Sequence, residues 1–298
     1  MSKTLSQSIC NSLTVDVEDY FQVSAFSDRV CRLTWDKMEC RVEENTNKLL
    51  SLFDELRVRG TFFILGWIAE RYPQLIKRIA SDGHEIASHG YWHQLVYDLT
   101  PEEFAKDIID SRDAIANACG VEVTAYRAPS FSIVQRSLWA LDILVEHGFR
   151  VDSSIFPIRG HHRYGIPNAI KEIHQLETSQ GTICEFPPSA WTSGRMSIPI
   201  GGGYFRLFPL SLTMQAIKAV RQAGRPAMFY IHPWEMDPRQ PRVKQIGMKT
   251  GFRHYVGLAR TERRLRRLLQ VMPFDRMDRV IASVLASDGV SQNSLAVC

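Results

Sequence analysis

No stretch of this sequence approaches the ~20 consecutive apolar residues of a membrane-crossing helix, so a transmembrane segment is not expected. The opening residues, MSKTLSQSICNSLTVDVEDY, lack the charged start and apolar middle of a secretory signal, so an export leader is not expected either. Cysteine is sparse and scattered. Cys10, Cys31, Cys40, Cys119, Cys184 and Cys298 form no C-x-x-C pair, which argues against a zinc ribbon. Without an export signal these thiols are expected to be reduced, in a cytoplasmic protein. Charge imbalance is small, at +4, and no basic stripe is interleaved with aromatics, so nucleic acid is not an expected partner. The one dense basic stretch, Arg263, Arg264, Arg266 and Arg267 among Leu265, Leu268 and Leu269, reads as the solvated face of an amphipathic helix. Contact with a polyanion or a membrane is the lesser reading of it. Short repeats and linker-like breaks are missing too, so the 298 residues are read as one domain.

What the chain does have is enough apolar residue, 45%, for a large core, and a pattern of strand followed by helix. LTVDVED (13–19) reads as a strand. Apolar residues at 49, 50, 53 and 56 predict a helix over 47–56, stopped before Gly60. TFFILG (61–66) is a short apolar strand, 67–80 a helix, and HEIASHG (84–90) a strand ending in polar residues. Thr100-Pro101-Glu102-Glu103 is a capping box with proline at the first helical position, and Gly120 closes that helix. VTAYRAP (123–129) is a strand that must end by Pro129. A helix over 135–147 and strand FRVDSSI (149–155) follow. Residues 156–180 have no clear period and read as a long functional loop. TICEFPPS (182–189) is a strand, and TSGRMSIPIGGGYFR (192–206) is irregular. A helix over 210–223 leads to the last apolar strand, PAMFYIHPW (226–234). Residues 238–260 read as loop, two short helices lie near 261–270 and 275–286, and the end frays from Ser287. Alternating strands and helices predict a mainly parallel sheet. Six or seven such units fit an irregular barrel, whose chemistry would sit where the strands end.

Reactive side chains collect at those ends. Asp16, Glu18 and Asp19 end the first strand, His89 and His93 follow the third, Arg127 ends the fourth, Asp152 lies in the fifth and His232 ends the last. On one helical turn, His89 and His93 would face the same way and could grip one metal ion. Two histidines and one carboxylate leave coordination positions open for water and a substrate oxygen. Asp16 and Glu18 share a strand face, so one could bind metal and the other act as base. Arg127 could hold an acid ionised. Each residue alone has an ordinary reading: capping histidines, exposed acids, a structural ion pair, a core histidine at 232. Their convergence on one face is what points to hydrolytic chemistry.

In this order the residues resemble carbohydrate esterase family four, the polysaccharide deacetylases with a NodB-homology domain. That family's T-F-D-D motif corresponds to Thr14-Val15-Asp16-Val17-Glu18-Asp19, with its adjacent aspartates spread apart. Its H-[ST]-x-x-H becomes His89-Gly90-Tyr91-Trp92-His93, and its R-x-P becomes Arg127-Ala128-Pro129. An aspartate motif follows at Asp152-Ser153-Ser154, and the final histidine motif at Ile231-His232-Pro233. T-F-F at 61–63 and D-G-H-E-I at 82–86 also look like the family. DVEDYFQV (16–23), RAPSFS (127–132), RYGIPNA (163–169) and HYVGLARTERRLRRLL (254–269) are similar to deacetylases encoded with exosortase-linked exopolysaccharide systems.

The resemblance implies an α/β fold, an irregular (β/α) barrel with about seven parallel strands. Catalytic motifs would occupy 13–235 and a subfamily extension 236–298. It implies an enzyme that removes N-acetyl groups from the amino sugars of a polysaccharide, in exopolysaccharide biosynthesis. The cofactor would be a divalent metal, zinc. His89 and His93 would bind it with either Glu18 or Asp19, and the shared strand face favours Glu18. Asp16 would be the base, Arg127 would orient it, His232 would be the acid, and Asp152 would pair with His232. The partner would be an acetylated polysaccharide or oligosaccharide, met by Pro129, Tyr164, Trp191 and Tyr204. Gly201, Gly202 and Gly203 would help shape the groove; core or loop packing is the plainer reading of the aromatics. Rival readings are a hydrolase of a small cyclic amide or imide on the same fold, and a carbohydrate-binding protein without turnover.

Overall fold

The computed structural model describes residues 10–159, 164–193 and 196–287. A parallel sheet is its frame. Strands β1 (Asn11–Val17), β2 (Thr61–Ile64), β3 (Glu85–Ser88), β4 (Ala125–Tyr126), β5 (Val151–Asp152), β7 (Gly181–Glu185) and β10 (Met228–Ile231) run parallel in the order β10-β1-β2-β3-β4-β5-β7. Strand β6 (His174–Thr178) adds antiparallel to β7, and β11 (Phe274–Asp275) pairs with the start of β1. All residues of β1, β2 and β10 are buried. Burial on both faces is why these strands read as apolar runs such as TFFI and MFYI.

Helices α1 (Val42–Glu55), α2 (Gly66–Arg71), α3 (Pro73–Ser81), α4 (Pro101–Cys119) and α5 (Ala140–Glu146) connect the strands of the first half. After β8 (Ala190–Ser193) and β9 (Met196–Pro199), an antiparallel hairpin, come α6 (Gly202–Leu207), α7 (Leu210–Gln222), α8 (Met248–Tyr255), α9 (Leu258–Val271) and α10 (Met277–Ser287). The sheet curls. Phe63, Ala87, Ala125, Cys184 and Met228, from five strands, meet in one interior cluster with Met277, Val280 and Ile281 of α10. Helix α10 thus packs under the sheet's inner face, and the strands' C-terminal ends are left for chemistry. The larger apolar cluster lies between the sheet and the outer helices, with Phe53, Phe62, Ile76 and Phe104 fully buried.

Several elements depart from the sequence reading. The helix expected over 67–80 is two helices, broken at Tyr72 (φ −125°, ψ 53°), because the residue before Pro73 is pushed out of helical geometry. Helix α1 starts five residues before the expected 47. The loop expected over 156–180 contains β6, a half-exposed edge strand whose HQLET sequence has little apolar alternation. The irregular stretch at 192–206 holds the β8–β9 hairpin and α6. Residues 238–260 hold α8 and the start of α9, since α9 begins at Leu258. The capping box at α4 is present as expected, with Thr100 and Glu103 bonded reciprocally and Gly120 left-handed at φ 71°. Residues 1–9, 160–163, 194–195 and the tail from 288 lie outside the described residues. No disulfide joins the described cysteines. No described helix is long and apolar enough to cross a membrane.

Candidate active site

Strand β1 delivers Asp16 to the C-terminal edge of the sheet and then stops. Glu18 N–H bonds back to the Asp16 carbonyl at 3.0 Å, and this tight turn sends successive carboxylates in different directions. Asp19 faces away from the site. Its carboxylate accepts from Tyr20, Arg41 and Val42 N–H at 2.8, 2.6 and 2.8 Å, tying the chain to the start of α1. Asp19, one of the two candidate metal ligands, is therefore committed elsewhere, three backbone donors having claimed its oxygens. Glu18 keeps one oxygen on the Trp234 indole N–H (3.1 Å) and turns the other toward the histidines.

His89 and His93 come together, with ring centroids 5.3 Å apart, but not on a helical turn. They flank a loop in which Gly90 (φ 75°) and His93 (φ 53°) are left-handed. The loop is held by Asp107 of α4, which accepts from Tyr91 and Trp92 N–H at 2.8 and 3.1 Å. A Cβ at Gly90 would lie 2.6 Å from the same carboxylate, so only glycine permits this approach. His89 Nδ1 sits 2.8 Å from the Arg127 carbonyl, which fixes its ring and leaves Nε2 to the site.

Donor atoms of Glu18, His89 and His93 all lie within 4.8 Å of one another, and the three residues are buried. Glu18 Oε2 lies 2.6 Å from His93 Nε2, yet it receives no properly directed hydrogen bond. Two acceptor atoms aimed at a common point are what a cation would satisfy. Two nitrogens and one carboxylate oxygen suit a divalent ion with open positions. Burial opposes the charge on Glu18, but His93 and His232 outweigh it and hold its carboxyl well below the usual range. Burial and His93 lower His89 to about 4, which keeps it neutral as a ligand must be.

Arg127 is fully buried. Its Nη1 donates to Asp16 Oδ1 at 2.6 Å and to Thr14 Oγ1 at 2.8 Å, while Ser153 takes Nε and Nη2 through its carbonyl and hydroxyl oxygens. Asp152 does not meet His232. It accepts from Ser154 Oγ at 2.6 Å and Ser154 N–H at 3.1 Å, beside Glu185 in the neighbouring strand. The partner of His232 is Glu235, whose Oε1 lies 2.6 Å from His232 Nδ1. Glu235 is bound in turn by Arg206 Nε. Burial opposes protonation of His232, but Glu18, Glu235 and Asp16 together carry it up to about 9. Its Nε2 faces the site, 3.5 Å from Glu18 Oε1 and 3.9 Å from Asp16 Oδ2. Glu235 had a local signal, since His232-Pro233-Trp234-Glu235 has the proline and glutamate of a capped turn, and the turn forms. Asp107 and Arg206 had none.

A cavity of about 450 Å³ opens over these groups. It is lined by Asp16, Glu18, His89, His93 and His232 and, farther out, by Tyr164, Tyr204 and Phe252. Pro129 is buried and does not line it, although its neighbours Ser130 and Phe131 do. Trp191 also misses the cavity. It packs on β8 against Ile198 in a separate small crevice behind Tyr204. Of the three glycines, Gly203 lines the cavity, whereas Gly201 (φ 140°) lies against the Tyr230 backbone, where a Cβ would come within 2.3 Å of the carbonyl oxygen.

Residues 24–151 match the polysaccharide deacetylase family, and residues 153–282 match a domain of unknown function, DUF3473. A peptidoglycan-N-acetylglucosamine deacetylase of Bacillus cereus is 33% identical over 100 residues, 33% of this chain and 36% of that protein. A chitooligosaccharide deacetylase of Rhizobium leguminosarum bv. trifolii is 28% identical over 137 residues, 41% of this chain and 61% of that protein. The chain thus spans 36% and 61% of the length of these relatives. A crystal structure from Mycobacterium smegmatis, of a protein assigned to the polysaccharide deacetylases, shares the fold over 97% of this chain and 94% of its own, at a TM-score of 0.63 and 19% identity. His89, His93 and Arg127 fall in the first matched stretch, and Arg206, His232 and Glu235 in the second. The two matched stretches are thus similar to a polysaccharide deacetylase and to DUF3473, and the candidate site takes side chains from both, with Asp16 and Glu18 ahead of the first.

Proposed function

We propose that the protein hydrolyses the N-acetyl group of an amino sugar in a polysaccharide, releasing acetate and a free amine. The observation that carries this reading is a single cavity that holds the Glu18–His89–His93 cluster, Asp16 fixed by Arg127, and His232 fixed by Glu235. Similarity to peptidoglycan and chitooligosaccharide deacetylases supports the substrate class. Glu18, His89 and His93 would hold a divalent ion, zinc by its fit to two imidazoles and a carboxylate, with Asp16 beside it and outside the ligand set. When bound, such an ion acts as a Lewis acid on the acetamide carbonyl.

The residues of the chain account for the proton transfers. Asp16, oriented by its hydrogen bond from Arg127, takes a proton from water as the water oxygen bonds to the carbonyl carbon. The C–N bond of the tetrahedral adduct then breaks. An amide nitrogen leaves poorly unless protonated, and His232 Nε2 is the proton source on that side of the site. Glu235, on the far ring nitrogen, fixes the imidazole so that Nε2 is the atom presented. Exopolysaccharide as the polymer is the finer part of the proposal, supported by the subfamily-like segments at 16–23, 127–132 and 254–269. Acetate release from acetylated chito-oligomers by the metal-loaded protein tests the reading. No release from any acetylated glycan, with metal bound in the site, would reject it.

A further inference from the structure

Among the described residues only seven large hydrophobic side chains are exposed: Leu33, Val121, Ile170, Leu207, Met248, Phe252 and Val271. Two of them line the cavity, and a third lies on the same helix as one of these. Leu207 (43% exposed) and Phe252 (62%) line it, and Met248 (93%) stands one helical turn before Phe252 on the same face of α8. Isolated exposed hydrophobics are ordinary on a soluble surface, but clustering beside a functional cavity is not. A polysaccharide does not explain the cluster. Sugars are recognised through aromatic faces and hydrogen bonds, and an exposed methionine and leucine offer neither.

The charge pattern along the segment that carries α8 is one-sided. Lys249 and Arg253 form an exposed stripe beside the Met248–Phe252 stripe. From Pro238 to Arg260 the sequence carries Arg239, Arg242, Lys244, Lys249, Arg253 and Arg260 and no acidic residue. The helix is also anchored. Arg206 donates to the carbonyls of Arg253, His254 and Val256, so the inner side of α8 is fixed to the residue that holds Glu235. Its outer side presents apolar and cationic stripes side by side on a rigid base. This is the pattern of a helix that lies in the interface of an anionic bilayer, with apolar side chains among the acyl chains and cations at the headgroups. A polyanion would use the cations and leave Met248 and Leu207 unexplained.

We infer that α8 and Leu207 form a docking face for an anionic lipid surface, which sets the mouth of the cavity against the membrane. This goes beyond the deacetylase reading, and its test does not depend on that reading. The full chain is sedimented with vesicles of phosphatidylcholine alone and of phosphatidylcholine with phosphatidylglycerol, at low and high salt. The face predicts binding only with phosphatidylglycerol, weakened by salt. Combining Met248→Glu, Lys244→Glu and Lys249→Glu should lower the vesicle partition coefficient roughly tenfold or more. The same variant should keep the circular dichroism spectrum and the melting temperature of the parent. Equal or absent binding to the two vesicle types would overturn the inference, as would a variant that binds like the parent. Loss on Arg266→Glu with Arg267→Glu instead would move the face to α9 and overturn it too. So would binding to soluble alginate but not to vesicles, which would mark a polyanion site.

Discussion

At the scale of single residues, the turn at Glu18 divides the labour among three carboxylates. Asp16 faces Arg127, Glu18 faces the histidines and Asp19 faces the start of α1. Asp16→Asn is expected to retain bound metal and lose ~10²–10⁴ in kcat, the usual cost of a missing general base; near-normal turnover would reassign the role. Replacing Glu18 by Gln, or either His89 or His93 by Ala, should strip the metal, as elemental analysis would show. Asp19→Asn should keep it and instead cost about 2–3 kcal/mol of stability, because charged hydrogen bonds to backbone donors are lost. Metal content that falls with Asp19 and not with Glu18 would reverse this reading of the site. Glu235→Gln is expected to slow acetamide hydrolysis strongly and hydrolysis of an activated ester little, because only the amide leaving group needs the proton His232 supplies. Equal losses on both substrates would make Glu235 a packing residue. The sequence made all of these side chains candidates except Glu235. It could not choose between Glu18 and Asp19, since alternation along a strand says nothing once the strand has ended at Val17.

At the scale of elements, the ends of the strands are positioned by features remote in sequence. The His89–His93 loop is held by Asp107 from the middle of α4, and the Arg127 segment by Ser153 and Ser154 after β5. Segment 201–203 lies on β10 so closely that Gly201 forms a bridge with Tyr230. Gly201→Ala should therefore destabilise the protein by several kcal/mol, since both the left-handed φ and the contact with the Tyr230 backbone oppose a Cβ. An unchanged melting temperature would show that the bridge is dispensable. Helix α4 was legible in detail because its Thr100–Glu103 box and Gly120 stop are local signals. Strand β6 and helix α8 were not. The first is an edge strand set by pairing with β7, and the second is a helix of only eight residues that starts after Gly247 with no side-chain cap to mark it.

At the scale of the whole molecule, buried histidines couple the fold to pH. His84 lies between Phe53 and Phe62 and accepts the Gly60 N–H, and burial together with the nearby Arg59 lowers it to about 4. The folded form thus binds its proton less readily than the unfolded chain, whose histidine titrates near 6.5. The stabilisation is present in full above about 6.5 and is lost as the pH falls toward about 4, at a cost of roughly 3 kcal/mol. Chemical denaturation at pH 7 and pH 5 measures the loss, and His84→Asn, which keeps an acceptor but cannot charge, should reduce the slope by one histidine's share, leaving those of His89 and His254. A slope unchanged by that substitution would assign the acid sensitivity to other groups. By itself the sequence marked a mainly parallel α/β sheet, the strand ends as the place where reactive groups collect, and Asp16, His89, His93, Arg127 and His232 as candidates. These are carried by local periodicity and capping signals, and by the order of short motifs along the chain, none of which needs the folded distances. Tertiary structure alone decided that Glu18 joins the histidines while Asp19 caps α1, and that Glu235 holds His232 while Asp152 turns to Ser154. It also put Trp191 outside the cavity and Phe252 at its mouth. Those choices rest on which backbone donors and neighbouring strands reach each side chain first, and such distances exist only once the chain has folded.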